Sequence, residues 1–202
     1  MTLFEHLEPS NQNLLPKDGE LYYYPAFFDS AVSRLFFEAL QGKVSWRQDK
    51  IRMFGKRIEQ PRLTAFYGDA DKSYTYSHIK MQPEPWIDDL LEIKQRLEKF
   101  LNQEFSSVLM NLYRDGKDSM GWHSDNEVEL GQNPEIASLS FGVNRVIRFR
   151  HLLDKEVQKS IELKDGSLLM MKGMTQQYWQ HCIPKEKKVL SPRINLTFRK
   201  II

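Results

Sequence analysis

Cysteine is almost missing from this chain: Cys182 is the only one among 202 residues. A single thiol excludes an intrachain disulfide and any cysteine-rich zinc knuckle. Long apolar runs are missing too. No stretch approaches the roughly 18 residues of a membrane span. The N-terminus places Glu5, His6 and Glu8 where a secretory signal needs basic and then apolar residues. No repeat, low-complexity tract or linker divides the sequence. These absences predict an intracellular protein without a membrane segment, and the length suits one domain able to bury its own core. A hydrophobic content of 41% and a charged content of 28% fit a globular class.

Net charge is also scarce, at +2, but it is segregated. From Lys43 to Arg62 seven basic residues stand against Asp49 and Glu59. Trp46, Met53 and Phe54 interleave with them, which favours a nucleic-acid surface over a merely solvated face. From Asp115 to Glu135 six acidic residues stand against Lys117 alone.

Residues 1–20 read as a loosely held arm, and 21–202 as one domain. DSAVSRLFFEALQG predicts a helix capped by Asp29 and ending at Gly42, with Val32, Leu35, Phe36, Ala39 and Leu40 on its apolar face. A second helix should begin near Pro85, with Trp86, Leu90, Ile93, Leu97 and Phe100 on one side. Between them IRMFGKRIE resembles a hairpin turning at Phe54-Gly55-Lys56. After residue 104 come short β-rich runs: SSVLMNLYR, IASLSFG, RVIRFRH, SLLMM, QYWQHCI and RINLTFRKI. Helices followed by strands predict an α+β domain closed as a sandwich or jelly roll.

GWHSD places His123 and Asp125 two residues apart, on one face if the segment is a strand. Of the other histidines, His6 lies in the arm, His78 near the basic hairpin and His151 in a charged connection. His181, within QYWQHCI, is the remaining candidate for a third ligand. Two histidines and a carboxylate with open positions is the arrangement of non-haem iron(II) oxygenases, and it also fits zinc. Cys182 alternates to the opposite face and reads as packing. In the C-terminal strand Arg193, Asn195, Thr197 and Arg199 alternate with Ile194, Leu196 and Phe198. An inward arginine needs an anion, and its fork suits a carboxylate such as those of 2-oxoglutarate. Asn111 and Tyr113 share a strand face and could bind the same acid. The alternative for the C-terminal strand is an exposed edge with solvated arginines.

The motifs NLYRDG, GWHSD, IASLSFG, GSLLMM, His181 and PRINLTFR keep one order over about residues 45–202. Together they resemble the AlkB-type iron(II)/2-oxoglutarate nucleic-acid demethylases. MFGK at 53–56, PRLTAFYGD at 61–69, YTY at 74–76 and PEPW at 83–86 look most like the duplex-DNA branch, AlkB homologue two. The resemblance implies a double-stranded β-helix (jelly roll) over 105–202, with N-terminal helices and a nucleotide-recognition hairpin lid over 43–80. It implies His123, Asp125 and His181 as iron ligands, with Asn111, Tyr113, Arg193, Asn195, Thr197 and Arg199 holding 2-oxoglutarate and Arg199 close to the catalytic centre. Phe54, Gly55, Lys56, Arg62, Tyr74, Tyr76, Asn126 and Glu127 would contact the nucleic acid. Tyr76 stands where that branch has phenylalanine, and Asn126 where it has aspartate. The implied monomeric enzyme consumes dioxygen and 2-oxoglutarate. It would demethylate 1-methyladenine and 3-methylcytosine in single- or double-stranded DNA, releasing formaldehyde and succinate. These bases are cationic, which gives Glu127 a charge to attract. RNA as substrate, or a binding module without catalysis, are the alternatives.

Overall fold

The computed structural model describes residues 12–53, 56–72, 74–76 and 79–202, and only the backbone of 51–53, 56, 57, 74–76 and 79–81. In chain order the elements are β1 (Glu20–Tyr24), α1 (Ser30–Lys43), β2 (Lys50–Met53), β3 (Lys56–Glu59), β4 (Leu63–Gly68), β5 (Tyr74–Tyr76) and β6 (Ile79–Met81). They continue with α2 (Asp88–Leu101), β7 (Ser107–Tyr113), β8 (Met120–His123), β9 (Ile136–Gly142), β10 (Arg145–His151) and β11 (Gln158–Leu163). Last come β12 (Leu168–Lys172), α3 (Thr175–Tyr178), β13 (Trp179–Ile183) and β14 (Arg193–Arg199).

Two antiparallel sheets form the jelly roll. The large one runs β1-β12-β9-β14-β7-β4 and the small one β11-β10-β13-β8. β14 is paired on both sides, to β7 and β9, so its arginines are not on an exposed edge. Its apolar residues Ile194, Leu196 and Phe198 join Met110, Leu139 and Phe141 in the core under the two long helices. Full burial of each such side chain stabilises by about 1.5–3 kcal/mol. The opposite face looks across to the small sheet, where Ile147, Phe149, Ile161 and Leu163 belong to a second core.

The helices differ from expectation in detail. Asp29 caps α1, its Oδ1 accepting from the Val32 amide at 2.9 Å. The buried residues are Ser33, Phe36 and Leu40, while Leu35 is 66% exposed. Gly42 lies inside the last turn, and the chain leaves the helix at Val44. α2 starts at Asp88 rather than near Pro85, and its buried residues are Leu90, Ile93 and Leu97. Trp86 stays outside it, stacked on Phe198 and donating to Asp69 Oδ1 at 2.8 Å. Asn102 ends α2 in the left-handed region, which asparagine tolerates.

Residues 12–20, expected as part of a loose arm, are packed against the domain. Leu15 is buried, the Lys17 carbonyl accepts from Trp179 Nε1 at 3.1 Å, and β1 pairs with β12. Residues 1–11 lie outside the described residues. Within the range expected as a lid, β4 is a strand of the large sheet, whereas β2–β3 and β5–β6 form separate hairpins. The segment QYWQHCI is split: Gln177 and Tyr178 end the short helix α3, and strand geometry begins at Trp179.

One buried residue joins two loops at the rim. Arg145, 1% exposed, donates to the carbonyls of Asp115, Asp118 and Pro184 and to Glu186 Oε1. Its guanidinium also lies 5.5 Å from the centre of the Tyr113 ring.

Candidate active site

Strand alternation predicts His123 and Asp125 on one strand face, but β8 stops at His123. Asp125 lies just beyond it and is turned to the same cavity by particular bonds. Its amide donates to Gln176 Oε1 at 2.9 Å, and its Oδ2 accepts from Arg199 Nη2 at 2.9 Å. The neighbouring Ser124 hydroxyl donates to the Trp179 carbonyl. His181 stands opposite His123 in the β13–β8 register, with ring centres 4.2 Å apart.

The ligating atoms of His123, Asp125 and His181 lie within 4.8 Å of one another. His123 Nδ1 sits 2.9 Å from the Gly121 carbonyl. That contact requires the proton on Nδ1 and leaves Nε2 as a lone pair. This Nε2 is 3.6 Å from Asp125 Oδ1, a buried atom that, like His181 Nδ1, has no hydrogen-bond partner among the described residues. Burial, with help from His123 and Arg199, pushes His181 down to about 3. Burial also lowers His123. For Asp125 burial raises the pKa, but Arg199 and the two histidines outweigh it and bring it to about 2. At neutral pH the trio therefore offers two neutral imidazoles and one carboxylate, the protonation state a divalent metal requires.

Beside the trio, β7 and β14 form a polar wall in which Arg193 faces Tyr113 and Asn195 faces Asn111. Arg193 donates through Nη2 to Ser140 Oγ at 2.9 Å and interacts with the Tyr113 side chain, while its buried Nε and Nη1 meet no acceptor in hydrogen-bond geometry among the described residues. Burial and the nearby Arg145 lower it to about 10, so it remains charged at neutral pH. A buried, incompletely bonded cation is costly until an anion meets it. Asn195 is bonded internally instead: its Nδ2 donates to Ser138 Oγ and the Leu139 carbonyl, and its Oδ1 accepts from Thr197. The cavity between the sheets is narrow, about 40 Å³, with Leu109, Ile147, Leu163 and Met171 as apolar lining.

The structure brings together His123, Asp125, His181, Asn111, Tyr113, Arg193, Asn195, Thr197 and Arg199 around this cavity. Asn126 is exposed next to the trio, and Glu127 is half-buried. Arg62, expected among the nucleic-acid contacts, is buried and bonded to Asn111. Phe54 and Gly55 lie outside the described residues, as do the side chains of Lys56, Tyr74 and Tyr76. Sequence reasoning missed Gln176, which holds the Asp125 main chain, and Arg145. A glutamine in a short helix gives no periodic signal of such a role.

A jelly roll with two histidines and a carboxylate at its mouth, beside the buried Arg193, has the arrangement of the non-haem iron oxygenase class. The model of the 2OG-Fe(II) oxygenase superfamily matches residues 20–199. The chain belongs to that superfamily. The Mus musculus "Alpha-ketoglutarate-dependent dioxygenase alkB homolog 3" is 43% identical over 187 residues, covering 88% of this chain and 65% of that protein. The Mus musculus "DNA oxidative demethylase ALKBH2" is 40% identical over 189 residues, covering 89% and 79%. This chain thus spans less than two thirds of the length of the homolog 3 relative. A solved structure, "The structure of OsALKBH1", shares the fold with a TM-score of 0.58 at 16% identity, covering 97% of this chain and 99% of that one. Among the described residues no helix is long and apolar enough to cross a membrane.

Proposed function

We propose that this chain is an iron(II)/2-oxoglutarate-dependent dioxygenase that demethylates 1-methyladenine and 3-methylcytosine in DNA. The observation that carries the reading is Arg193, a buried cation two of whose nitrogens meet no acceptor among the described residues, in the same cavity as the two-histidine, one-carboxylate trio. A 2-oxoglutarate carboxylate supplies the missing anion. The relative named as a DNA oxidative demethylase and the basic block from Lys43 to Arg62 support the substrate class.

When bound, iron(II), 2-oxoglutarate and dioxygen supply the oxidation of the N-methyl carbon, which leaves as formaldehyde beside succinate and carbon dioxide. The chain's own residues prepare that reaction. His123, Asp125 and His181 hold the metal. Arg199 occupies Asp125 Oδ2 and so leaves Oδ1 for the ion. Arg193, Asn111, Tyr113 and Thr197 orient the cosubstrate, and Asn195 acts through the Thr197 and Ser138 hydroxyls it bonds. Asn126 and Glu127, which follow Asp125 in the chain, would meet the cationic base, and Phe54, Gly55, Lys56, Tyr74 and Tyr76 would be further nucleic-acid contacts. In this reading the enzyme acts as a monomer. A ferrous centre and a nucleic-acid substrate suit an intracellular location.

The test is anaerobic incubation with Fe(II), 2-oxoglutarate and a 1-methyladenine oligonucleotide, followed by air and mass spectrometry. Loss of one methyl group with matching succinate is expected, in single-stranded and duplex DNA arms. Binding without mass change would mark a module without catalysis, and turnover confined to an RNA arm would move the substrate class.

A further inference from the structure

Arg62 ends the basic block and sits one residue before β4, yet only 4% of its surface is exposed. Its Nε donates to Asn111 Oδ1 at 2.7 Å, a buried bond between side chains 49 residues apart. Its Nη1 reaches the Ser119 carbonyl at 3.4 Å, and the Ser119 amide in turn donates to the Pro61 carbonyl at 2.9 Å. Arg62 is therefore fixed between the start of β4, the middle of β7 and the segment leading into β8.

We infer that Arg62 is a positioning residue for the cosubstrate, acting by fixing the orientation of the Asn111 amide. The inference rests on the proposed 2-oxoglutarate reading. A guanidinium carries only donors, so the atom it meets on Asn111 must be the carbonyl oxygen. An asparagine amide unconstrained at that oxygen can turn either its acceptor or its donors to a ligand. With Oδ1 taken by Arg62, the two Nδ2 hydrogens are what Asn111 offers, and they suit a carboxylate. The distinction matters because Asn195, directly opposite Asn111 on β14, has its own amide bonded within the protein. Asn111 is the amide of this pair that can serve the ligand, and Arg62 sets which side it shows. Lysine can keep the charge and a donor but not the planar fork that meets both Asn111 and Ser119.

The test measures 2-oxoglutarate affinity by calorimetry on the full chain loaded anaerobically with Fe(II), together with Fe(II) affinity, melting temperature and oligonucleotide affinity. Arg62→Ala, Asn111→Ala and the double variant form a cycle. Arg62→Met, with similar volume and no donor, replaces Arg62→Ala if that variant does not fold. Each single change is expected to weaken 2-oxoglutarate binding by about tenfold, within the range for residues in one hydrogen-bond network. The double variant should be no weaker than Asn111→Ala alone, Fe(II) affinity should hold, and Arg62→Lys should restore part of the loss. Unchanged 2-oxoglutarate affinity in the Arg62 variants overturns the inference, and so does an additive loss in the double variant. A loss of oligonucleotide affinity alone would return Arg62 to the nucleic-acid surface. If Arg193→Ala loses 2-oxoglutarate while Arg62 variants keep it, only this inference falls. If the unaltered chain does not bind 2-oxoglutarate, the proposed function falls with it.

Discussion

At the residue scale, Arg193 makes the cosubstrate-free protein carry a charge in its interior with only part of its bonding met. Replacing it by methionine removes that desolvation penalty while keeping much of the volume. The ligand-free Arg193→Met protein is therefore expected to melt no lower than the unaltered one. Its 2-oxoglutarate affinity should fall by roughly 2–5 kcal/mol, the range for truncating one partner of a buried charge pair. Calorimetry and thermal melting on the same samples check both halves, and a lower melting temperature would mean that Arg193 stabilises the empty fold. The histidines set a pH dependence. His181 is held near 3 and His123 also lies below its ordinary 6.5, so the unfolded chain binds more protons than the folded one between those values. Metal-free stability should thus be fully present above about 6.5 and decline as the pH falls toward 3. Asp125 adds stability above its ordinary 3.8 and loses it as the pH falls through about 2, so both effects act in one direction. Urea midpoints at pH 8, 7 and 5 should be level between the first two and lower at the third. An unchanged midpoint at pH 5 would contradict the buried neutral imidazoles.

At the scale of elements, β14 serves two environments at once, with Leu196 in the helix-covered core and Arg193 and Arg199 in the cavity wall. Leu196→Ala is expected to destabilise by about 2–5 kcal/mol in chemical denaturation, because the packed sheet can relax little around the void. Leu35→Ser, on the exposed side of α1, should stay within about 0.5 kcal/mol. A large loss there would mean that the face is covered in solution. The alternation of PRINLTFR made this strand legible in the sequence, since period-two patterning records burial on both faces. IASLSFG and the α2 core positions were legible for the same kind of reason. The α1 face was misjudged at Leu35 because apolar residues at helical spacing do not say how wide the covering surface is. The Asp125 position was found through its spacing from His123, but not its actual support. Gln176, Arg199 and Trp179 hold that segment from far along the chain, and long-range partners leave no local pattern. The packing of residues 12–20 was hidden likewise, since the acceptor of the Trp179 indole is a main-chain carbonyl that any residue carries.

On the scale of the whole molecule, the two sheets meet over the cavity, and the loops at one rim come from distant stretches of sequence. The Gly116 amide donates to the Val189 carbonyl and the Glu186 amide to the Gly116 carbonyl, each at 2.8 Å. A side chain at Gly116 would run into the Glu186 carbonyl, so the two segments meet with no space between them. Arg145 holds both segments from beneath through four acceptors. Neither segment can lift without breaking bonds to the other, so the rim should behave as one cooperative unit in hydrogen–deuterium exchange. The Gly116 and Glu186 amides are expected to exchange at a common rate, and Arg145→Lys to accelerate both together. Widely different rates at the two amides would show that each loop opens alone. The segment that carries Glu186 continues through Pro192 into Arg193, whose strand is paired on both sides, so the rim is tethered directly to the wall that carries the cavity's buried cation.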